Sequence, residues 1–361
     1  MPLSAEYSSR RQTLLPGFAE HKIDGLLVTS LANIRYLTGF TGSHGALYLA
    51  PGKAILFTDP RYTLQASQET TCDVRILTGS LFPGIVKALH RLKPGQLGFE
   101  KSQMPYFAWD YLTRESKSRY TLVPVDSLVE TQRMVKSEAE IALIRESVNL
   151  NSQAFDRALK RFKPGMRESD LAAEIDYQMR RLGASSTAFE TIVATGAHSA
   201  LPHARPGETR IETNQLLLID MGATRQGYTS DMTRTVFTGK AAPVWRKRYQ
   251  AVLEAQQASI ATIRDGARTV KVDAAGRQVL KGYGLDKQFT HSTGHGLGLE
   301  IHEAPRLGKR DKNVLRAGMV VTVEPGIYLE GQGGIRIEDT VLVTASGCEI
   351  LTPTSKELTV V

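Results

Sequence analysis

The spacing of apolar and polar positions divides the chain into two styles. Up to about residue 128, short apolar runs alternate with helix-like stretches. IDGLLVTS (23–30) is an apolar run with a polar exit and predicts a strand. Residues 33–59 predict a short helix or turn and then two strands around Pro51-Gly52. A helix is expected to start within residues 61–66, a strand at QLGFE (96–100), and a helix at PYFAWDYLTRES. This alternation predicts a mixed α/β layered domain. The style changes near residues 128–137. Ser137 with Glu140 forms a capping-box pattern. Ile141, Ile144, Val148, Phe155, Leu159 and Phe162 then recur at steps of three, four and seven, a helix stripe that Lys163-Pro164-Gly165 stops.

The second style repeats itself. KPGMRESDLAAEIDYQMRRLG (163–183) and RDGARTVKVDAAGRQVLKGYG (264–284) have equal length, with Gly third, Arg fifth and Gly last. A long helical pattern precedes each, over 138–162 and 244–263. After each comes a Thr-Gly segment that runs through histidine to a Pro/Arg pair. Each copy then has an apolar strand ending in an acid, LLLID (216–220) or VVTVE (320–324), and a second acid-bearing strand after a glycine turn. An internal repeat of whole supersecondary units is the expectation.

Composition changes this picture little. The chain has 361 residues, 41% hydrophobic and 23% charged, enough for two globular domains. No run approaches the roughly 20 apolar residues of a membrane span, and the N-terminal MPLSAEYSSRRQ lacks the apolar stretch of a secretory signal. A cytoplasmic location without membrane contact is therefore expected. Cys72 and Cys348 are far apart, have no zinc spacing, and read as reduced thiols. The net charge of +8 raises nucleic-acid binding as a function. The basic residues are scattered, however, and the densest knot, WRKRY (245–249), opens a helix-like segment where a solvated face accounts for it. No nucleic-acid partner is expected.

Chemistry enters with Asp220, Asp231, His295, Glu324 and Glu338. In the first copy, a hairpin centred between Arg225 and Gln226 would set Asp220 opposite Asp231. In the second, a hairpin centred at Gly331 sets Glu324 opposite Glu338. Opposed side chains of an antiparallel pair have Cβ atoms about 4.5–5.5 Å apart, so bare carboxylates there repel. If the copies pack about a pseudo-two-fold axis, the two acidic pairs face each other. Divalent cations would turn that repulsion into coordination, and oxygen donors with one imidazole suit Mn, Co, Zn or Fe. In HSTGHGLGLEIHE, glycines allow close backbone approach. His291, His295 and His302 cluster there, with His203 at the parallel point of the first copy.

These motifs resemble the metallopeptidase family with the pita-bread fold, which includes methionine aminopeptidase, aminopeptidase P and prolidase. The matching stretches are LLIDMGATRQGYTSDMTRT, STGHGLGLEIHE, VTVEPGIY and GIRIEDT. NIRYLTGFTGSHG and FTDPRY are similar to the N-terminal domain of creatinase, prolidase and aminopeptidase P. The resemblance implies an α/β (α+β) chain, with a creatinase-like mixed α/β domain over 1–130 and a pseudo-two-fold pita-bread catalytic domain over 131–361. It implies two divalent metal ions, manganese before cobalt, zinc or iron. Asp231 and Glu338 would bridge them, Asp220 would complete one site, and His295 and Glu324 the other. Arg336, two residues before Glu338 and so on the same strand face, would hold a bridging acid, with Tyr228 and Thr233 as further supports.

The implied reaction is hydrolysis of the bond between an N-terminal residue and proline in a short Xaa-Pro peptide. Glu324 would move the water proton. His203 and His302 would donate hydrogen bonds to the substrate carbonyl, and His291 would line the proline side. Arg306 would read a C-terminal carboxylate, which favours an Xaa-Pro dipeptidase (prolidase). The alternative is an aminopeptidase P acting on longer peptides. A more distant one is a non-catalytic member that binds peptide or nucleic acid, but such a module would be expected to lose ligands, and all five are present. A homodimer is also implied.

Overall fold

The computed structural model describes residues 6–361; the first five residues of the N-terminal stretch considered above lie outside them. The chain separates into two compact units, Met1–Arg133 and Met134–Val361.

The first unit runs α1 (Tyr7–His21), β1 (Gly25–Val28), α2 (Leu31–Thr38), β2 (Ala46–Ala50), β3 (Lys53–Thr58), α3 (Thr63–Glu69), β4 (Asp73–Ile76), α4 (Leu81–Leu92), β5 (Gly95–Glu100), α5 (Tyr106–Glu115) and β6 (Tyr120–Val125), and α6 (Leu128–Met134) follows. Its six strands form one sheet in the order β4-β3-β2-β1-β5-β6. β1 pairs antiparallel with β2 but parallel with β5, so the sheet is mixed. β2 and β3 turn at Pro51-Gly52, where Gly52 has φ 70°. Leu27, Ile55, Phe57 and Leu97 from the sheet pack with Ile85, Leu89 and Leu112 from α4 and α5. Each fully buried aliphatic side chain contributes about 1.5–3 kcal/mol relative to exposure. Helices α1 and α4 were not anticipated. Pro16 lies inside α1, and Pro83-Gly84 falls in the first turn of α4. A proline inside a helix ordinarily breaks the pattern, whereas one in the first turn removes an N–H that has no partner in the helix anyway.

The second unit opens on α7 (Glu138–Leu159) and α8 (Glu168–Arg181). The expected capping box is present: Ser137 Oγ accepts from Glu140 N, and Glu140 Oε2 accepts from Ser137 N. The strands of the first half are β7 (Ser186–Thr187), β8 (Ile192–Thr195), β9 (Leu216–Met221), β10 (Ala223–Arg225), β11 (Tyr228–Thr229) and β12 (Met232–Phe237). The second half has α9 (Pro243–Ala261), α10 (Thr269–Gly282), β13 (Gly294–Gly296), β14 (Glu303–Leu307), β15 (Val320–Val323), β16 (Gly326–Leu329), β17 (Gly333–Arg336), β18 (Asp339–Val343) and β19 (Cys348–Ile350). The repeat is visible in the topology. Two helices lead each half. The first sheet is ordered β12-β9-β8, and the second contains the matching run β13-β15-β18. The Thr-Gly strand, the acid-ending strand and the second acid-bearing strand thus keep the same neighbours in both copies. Leu150, Phe155, Leu171 and Ile175 pack against Leu217 and Ile219 in one core. Tyr249, Leu253 and Leu280 pack against Ile327, Ile335 and Ile337 in another.

One register differs from expectation. Asp220 pairs with Thr233, not with Asp231. The reason lies in the turn: Gln226 (φ 48°) and Gly227 (φ 82°) both take positive φ between the paired Arg225 and Tyr228. A two-residue turn with both φ positive is the favoured hairpin connection. Its centre lies between Gln226 and Gly227, one position later than expected, which moves every partner by two. The second hairpin keeps its expected centre. Leu329↔Gly333 flank Gly331, and Val323↔Asp339 on the outer ladder share the register that sets Glu324 across from Glu338.

Candidate active site

The strand ends bring the predicted residues to one cavity of about 670 Å³ in the second unit. Asp220, Asp231, His295, Glu324 and Glu338 all line it, as do His203, His291, His302, Arg306 and Arg336. Asp231, His295 and Glu338 each offer a ligand-type atom within 4.8 Å of the others. His295 Nε2 lies 3.6 Å from Asp231 Oδ2 and 3.5 Å from Glu324 Oε1. Its Nδ1 sits 3.0 Å from Gly296 O. A proton on Nδ1 satisfies that carbonyl and leaves the Nε2 lone pair facing the acids. Two glycines make this strand position possible. A Cβ on Gly294 would lie 1.9 Å from Thr322 O, and one on Gly296 would lie 2.3 Å from Ala304 O.

The electrostatics are those of crowded, buried anions. Burial, then Glu338, Asp220 and Glu324, push the Asp231 carboxyl well above its ordinary range. Burial, then Glu324 and Asp220, do this to Glu338. Burial pushes Glu324 up to about 7, although Arg336 works the other way. The histidines shift down: burial lowers His295 and His302, and takes His291 to about 4. Three carboxylate oxygens, Asp220 Oδ1, Asp231 Oδ1 and Glu338 Oε1, are buried without a hydrogen-bond partner. Leaving such acceptors unmet costs about 1–3 kcal/mol each, more when charged.

Arg336 organises one side. Nη2 donates to Asp220 Oδ2 at 2.6 Å, Nε donates to Thr233 Oγ1 at 3.0 Å, and Nη1 reaches the Tyr328 hydroxyl and Pro202 O. Burial opposes its charge, but Tyr328, Asp220, Glu324 and Glu338 outweigh that and hold the proton more firmly. Thr233 Oγ1 in turn donates to Glu338 Oε2 at 2.7 Å. Arg336 and Thr233 thus touch Asp220 and Glu338. Tyr228 does not line the cavity. Its hydroxyl donates to Glu140 Oε1 at 2.9 Å and so ties the hairpin to α7. Arg306 stands across the ladder from His295 with its head exposed, and Nε is 3.4 Å from Ser292 Oγ.

Sequence reasoning missed several contributors. Tyr328 OH lies 2.9 Å from His291 Nε2 and links that ring to Arg336. The buried Arg234 donates to the main-chain carbonyls of Thr233 and Glu338 and to Asp339 Oδ1. Glu168, wholly buried on α8, accepts from Thr195 N and His198 Nδ1, and so braces the loop that carries His203. The only signal for Tyr328 was its place four residues after Glu324. Glu168 gave none, because its partners lie 27 to 39 residues away.

Residues 142–345 match the model of metallopeptidase family M24, and residues 10–135 match the creatinase/prolidase N-terminal domain. An Xaa-Pro dipeptidase of Pyrococcus horikoshii is 35% identical, over 94% of this chain and 95% of its own. Among solved structures, an Xaa-Pro dipeptidase from Bacillus anthracis superposes with a TM-score of 0.95 at 37% identity, covering 98% of this chain and 100% of that one. An X-Pro aminopeptidase from Thermotoga maritima does so with 0.90 at 35% identity and the same coverage.

Proposed function

We propose that this chain, which belongs to metallopeptidase family M24, is an Xaa-Pro dipeptidase that hydrolyses the bond between an N-terminal residue and proline. One observation carries the reading: three buried, partnerless carboxylate oxygens converge with the free face of His295 in a cavity of peptide size. Anions do not stay buried and unmet unless a cation satisfies them. The donor set therefore fits divalent metal. Asp231 and Glu338 would hold both ions, Asp220 would complete one, and His295 and Glu324 the other. A bound pair would supply a water of lowered pKa and polarise the scissile carbonyl. The all-oxygen and imidazole set, without thiolate, supports manganese as the working ion.

The chain's own groups divide the remaining work. Glu324 takes the water proton on its carboxylate and delivers it to the departing proline nitrogen. His203 and His302 donate hydrogen bonds to the carbonyl oxygen as charge develops there. His291, held neutral by burial and hydrogen-bonded to Tyr328, orients the proline side. Arg306 presents its exposed guanidinium to the substrate's C-terminal carboxylate, and such a contact suits a dipeptide. Arg336 and Thr233 keep Asp220 and Glu338 in place. The likeness to the Thermotoga aminopeptidase supports a second reading, an enzyme that takes longer Xaa-Pro peptides. We also propose domains over 1–130 and 131–361, a homodimer and a cytoplasmic location. Among the described residues no helix is long and apolar enough to cross a membrane.

The test uses protein stripped by chelation and reloaded with Mn, Co, Zn or Fe separately. It is assayed on Ala-Pro, Ala-Pro-Ala and Met-Ala-Ser. The expected result is cleavage of Ala-Pro that vanishes on stripping and returns with metal, with Met-Ala-Ser untouched. Preference for Ala-Pro-Ala would move the assignment to the aminopeptidase. Hydrolysis that persists in the stripped enzyme would overturn the mechanism.

A further inference from the structure

Residues 289–293 lead into the cavity with little regular structure of their own. The segment follows a turn of 3-10 helix (Asp286–Gln288) and reaches β13 only at Gly294. Within it, Thr293 N donates to Leu307 O, and Thr293 O accepts from Glu324 N at 2.8 Å. It nevertheless carries His291 and delivers the chain to His295. Its geometry has to be set from outside.

The setting comes from one face of α10. Asp273 and Arg277, four residues apart, form a bidentate pair: Nε to Oδ2 at 2.7 Å and Nη2 to Oδ1 at 2.9 Å. A pair that served only the helix would stop there. This one continues onto alternate residues of the neighbouring segment. Arg277 Nη1 donates to Phe289 O at 2.9 Å, and Nη2 also donates to His291 O. Asp273 Oδ1 accepts from Thr293 Oγ1 at 2.9 Å and Thr293 N at 3.3 Å. The guanidinium carbon lies 3.9 Å from the centre of the Phe289 ring, and that ring meets His291 edge-on at 5.1 Å. The side chains of Asp273 and Arg277 are 2% and 14% exposed, so water does not compete for these bonds.

We propose that the Asp273–Arg277 pair is the positioning device that holds main-chain residues 289, 291 and 293 in line and so aims His291 at the bound substrate. The inference rests on the Xaa-Pro peptidase reading for its kinetic arm. It rests on the geometry alone for its labelling arm. Neither residue touches the cavity, so both act through His291. Only a guanidinium serves here, because two carbonyls and two carboxylate oxygens must be met by one planar fork; an ammonium offers its donors from a single point.

The metal-loaded full chain is tested as Arg277→Lys, Asp273→Asn, His291→Ala and the Arg277→Lys/His291→Ala double variant. For Arg277→Lys, kcat/KM on Ala-Pro is expected to fall by about 10–100-fold with unchanged helical circular dichroism and bound metal per chain. In the His291→Ala background the same change should cost no more than about twofold, because coupled residues are not additive. The second arm needs no substrate. Carbethoxylation followed by mass spectrometry should show His291 reacting at least about threefold faster in Arg277→Lys and Asp273→Asn, with His203 and His302 unaltered. Additive losses in the double variant, or unchanged His291 labelling in both single variants, would overturn the proposal. So would loss of the helical signal in both, which would make the pair part of the fold and nothing more. If the wild type leaves Ala-Pro intact, the peptidase reading fails, and the labelling still decides this one.

Discussion

At the scale of single residues, charge made the site legible. Four acids at strand ends stand out because exposed neighbours would repel and buried ones need a cation. What supports those acids was legible only in part. Arg336 could be read because alternation along a strand puts it on the face of Glu338, and Thr233 was named only through the family resemblance. Tyr228, three positions before Asp231, falls on the other face of that alternation, and it bonds to Glu140, 88 positions earlier, a partner no local pattern indicates. Thr233 gives the sharpest residue-level prediction. Its hydroxyl is the one group between Arg336 Nε and Glu338 Oε2. Thr233→Val keeps the shape and removes that link. Metal affinity, measured by competition with a chromophoric chelator, should fall by about 10–100-fold. Stability in urea should drop by about 1–3 kcal/mol, since a buried donor and acceptor are both left unmet. Unchanged metal affinity would show that Glu338 is held by other contacts.

At the scale of elements, helices with a clear cap and stripe were readable, and α7 runs from its capping box as expected. Ser137→Ala removes the acceptor for Glu140 N, and the loss should be about 1 kcal/mol in chemical denaturation. Hairpin registers were readable only as far as the turn type was known. A glycine at the middle of the second hairpin located its centre, whereas in the first a non-glycine residue, Gln226, takes the left-handed conformation and shifts the pairing. The glycines of β13 show the opposite case, where composition anticipated close packing and the structure supplies the neighbour. Gly294→Ala would drive a methyl to within 1.9 Å of a main-chain oxygen, which cannot swing aside as a side chain would. The expected outcome is a loss of about 3 kcal/mol or more together with metal binding, because β13 carries His295. Gly347→Ala meets nothing within 4 Å and serves as the control, with an expected change within about 0.5 kcal/mol. Equal stability of the two variants would mean that β13 can move away from β15 without penalty.

At the scale of the whole molecule, the two styles of hydrophobic spacing correspond to two families of core, a mixed sheet with helices in the first unit and a repeated helix-pair-and-sheet in the second. That division was legible because strand and helix periods differ. Helices α1 and α4 were not, since Pro16 interrupts the first and Pro83-Gly84 stand where the second begins. The acid cluster couples the second unit's stability to both pH and metal, and the sign follows from its pKa shifts. Without metal, burial raises Asp231, Glu338 and Glu324, the last to about 7. An unfolded glutamate titrates near 4.3. Between those values the folded, metal-free chain binds more protons than the unfolded one, so its stability falls as pH rises. Glu324 alone would account for roughly 3–4 kcal/mol across that window, fully present below its unfolded pKa and lost as pH passes its folded pKa. Divalent cations replace those protons, and their affinity grows as the carboxyls deprotonate. The melting temperature of chelated protein should therefore decline from about pH 5 to about pH 8, while that of metal-loaded protein does not, and the gap between them should widen steadily. The widening should be confined to the transition of the second unit, since the first contributes no residue to the cluster. A gap that stays constant or narrows with rising pH would mean that the acids are already ionised and satisfied in the metal-free protein, and the case for cations as their partners would lose its physical basis.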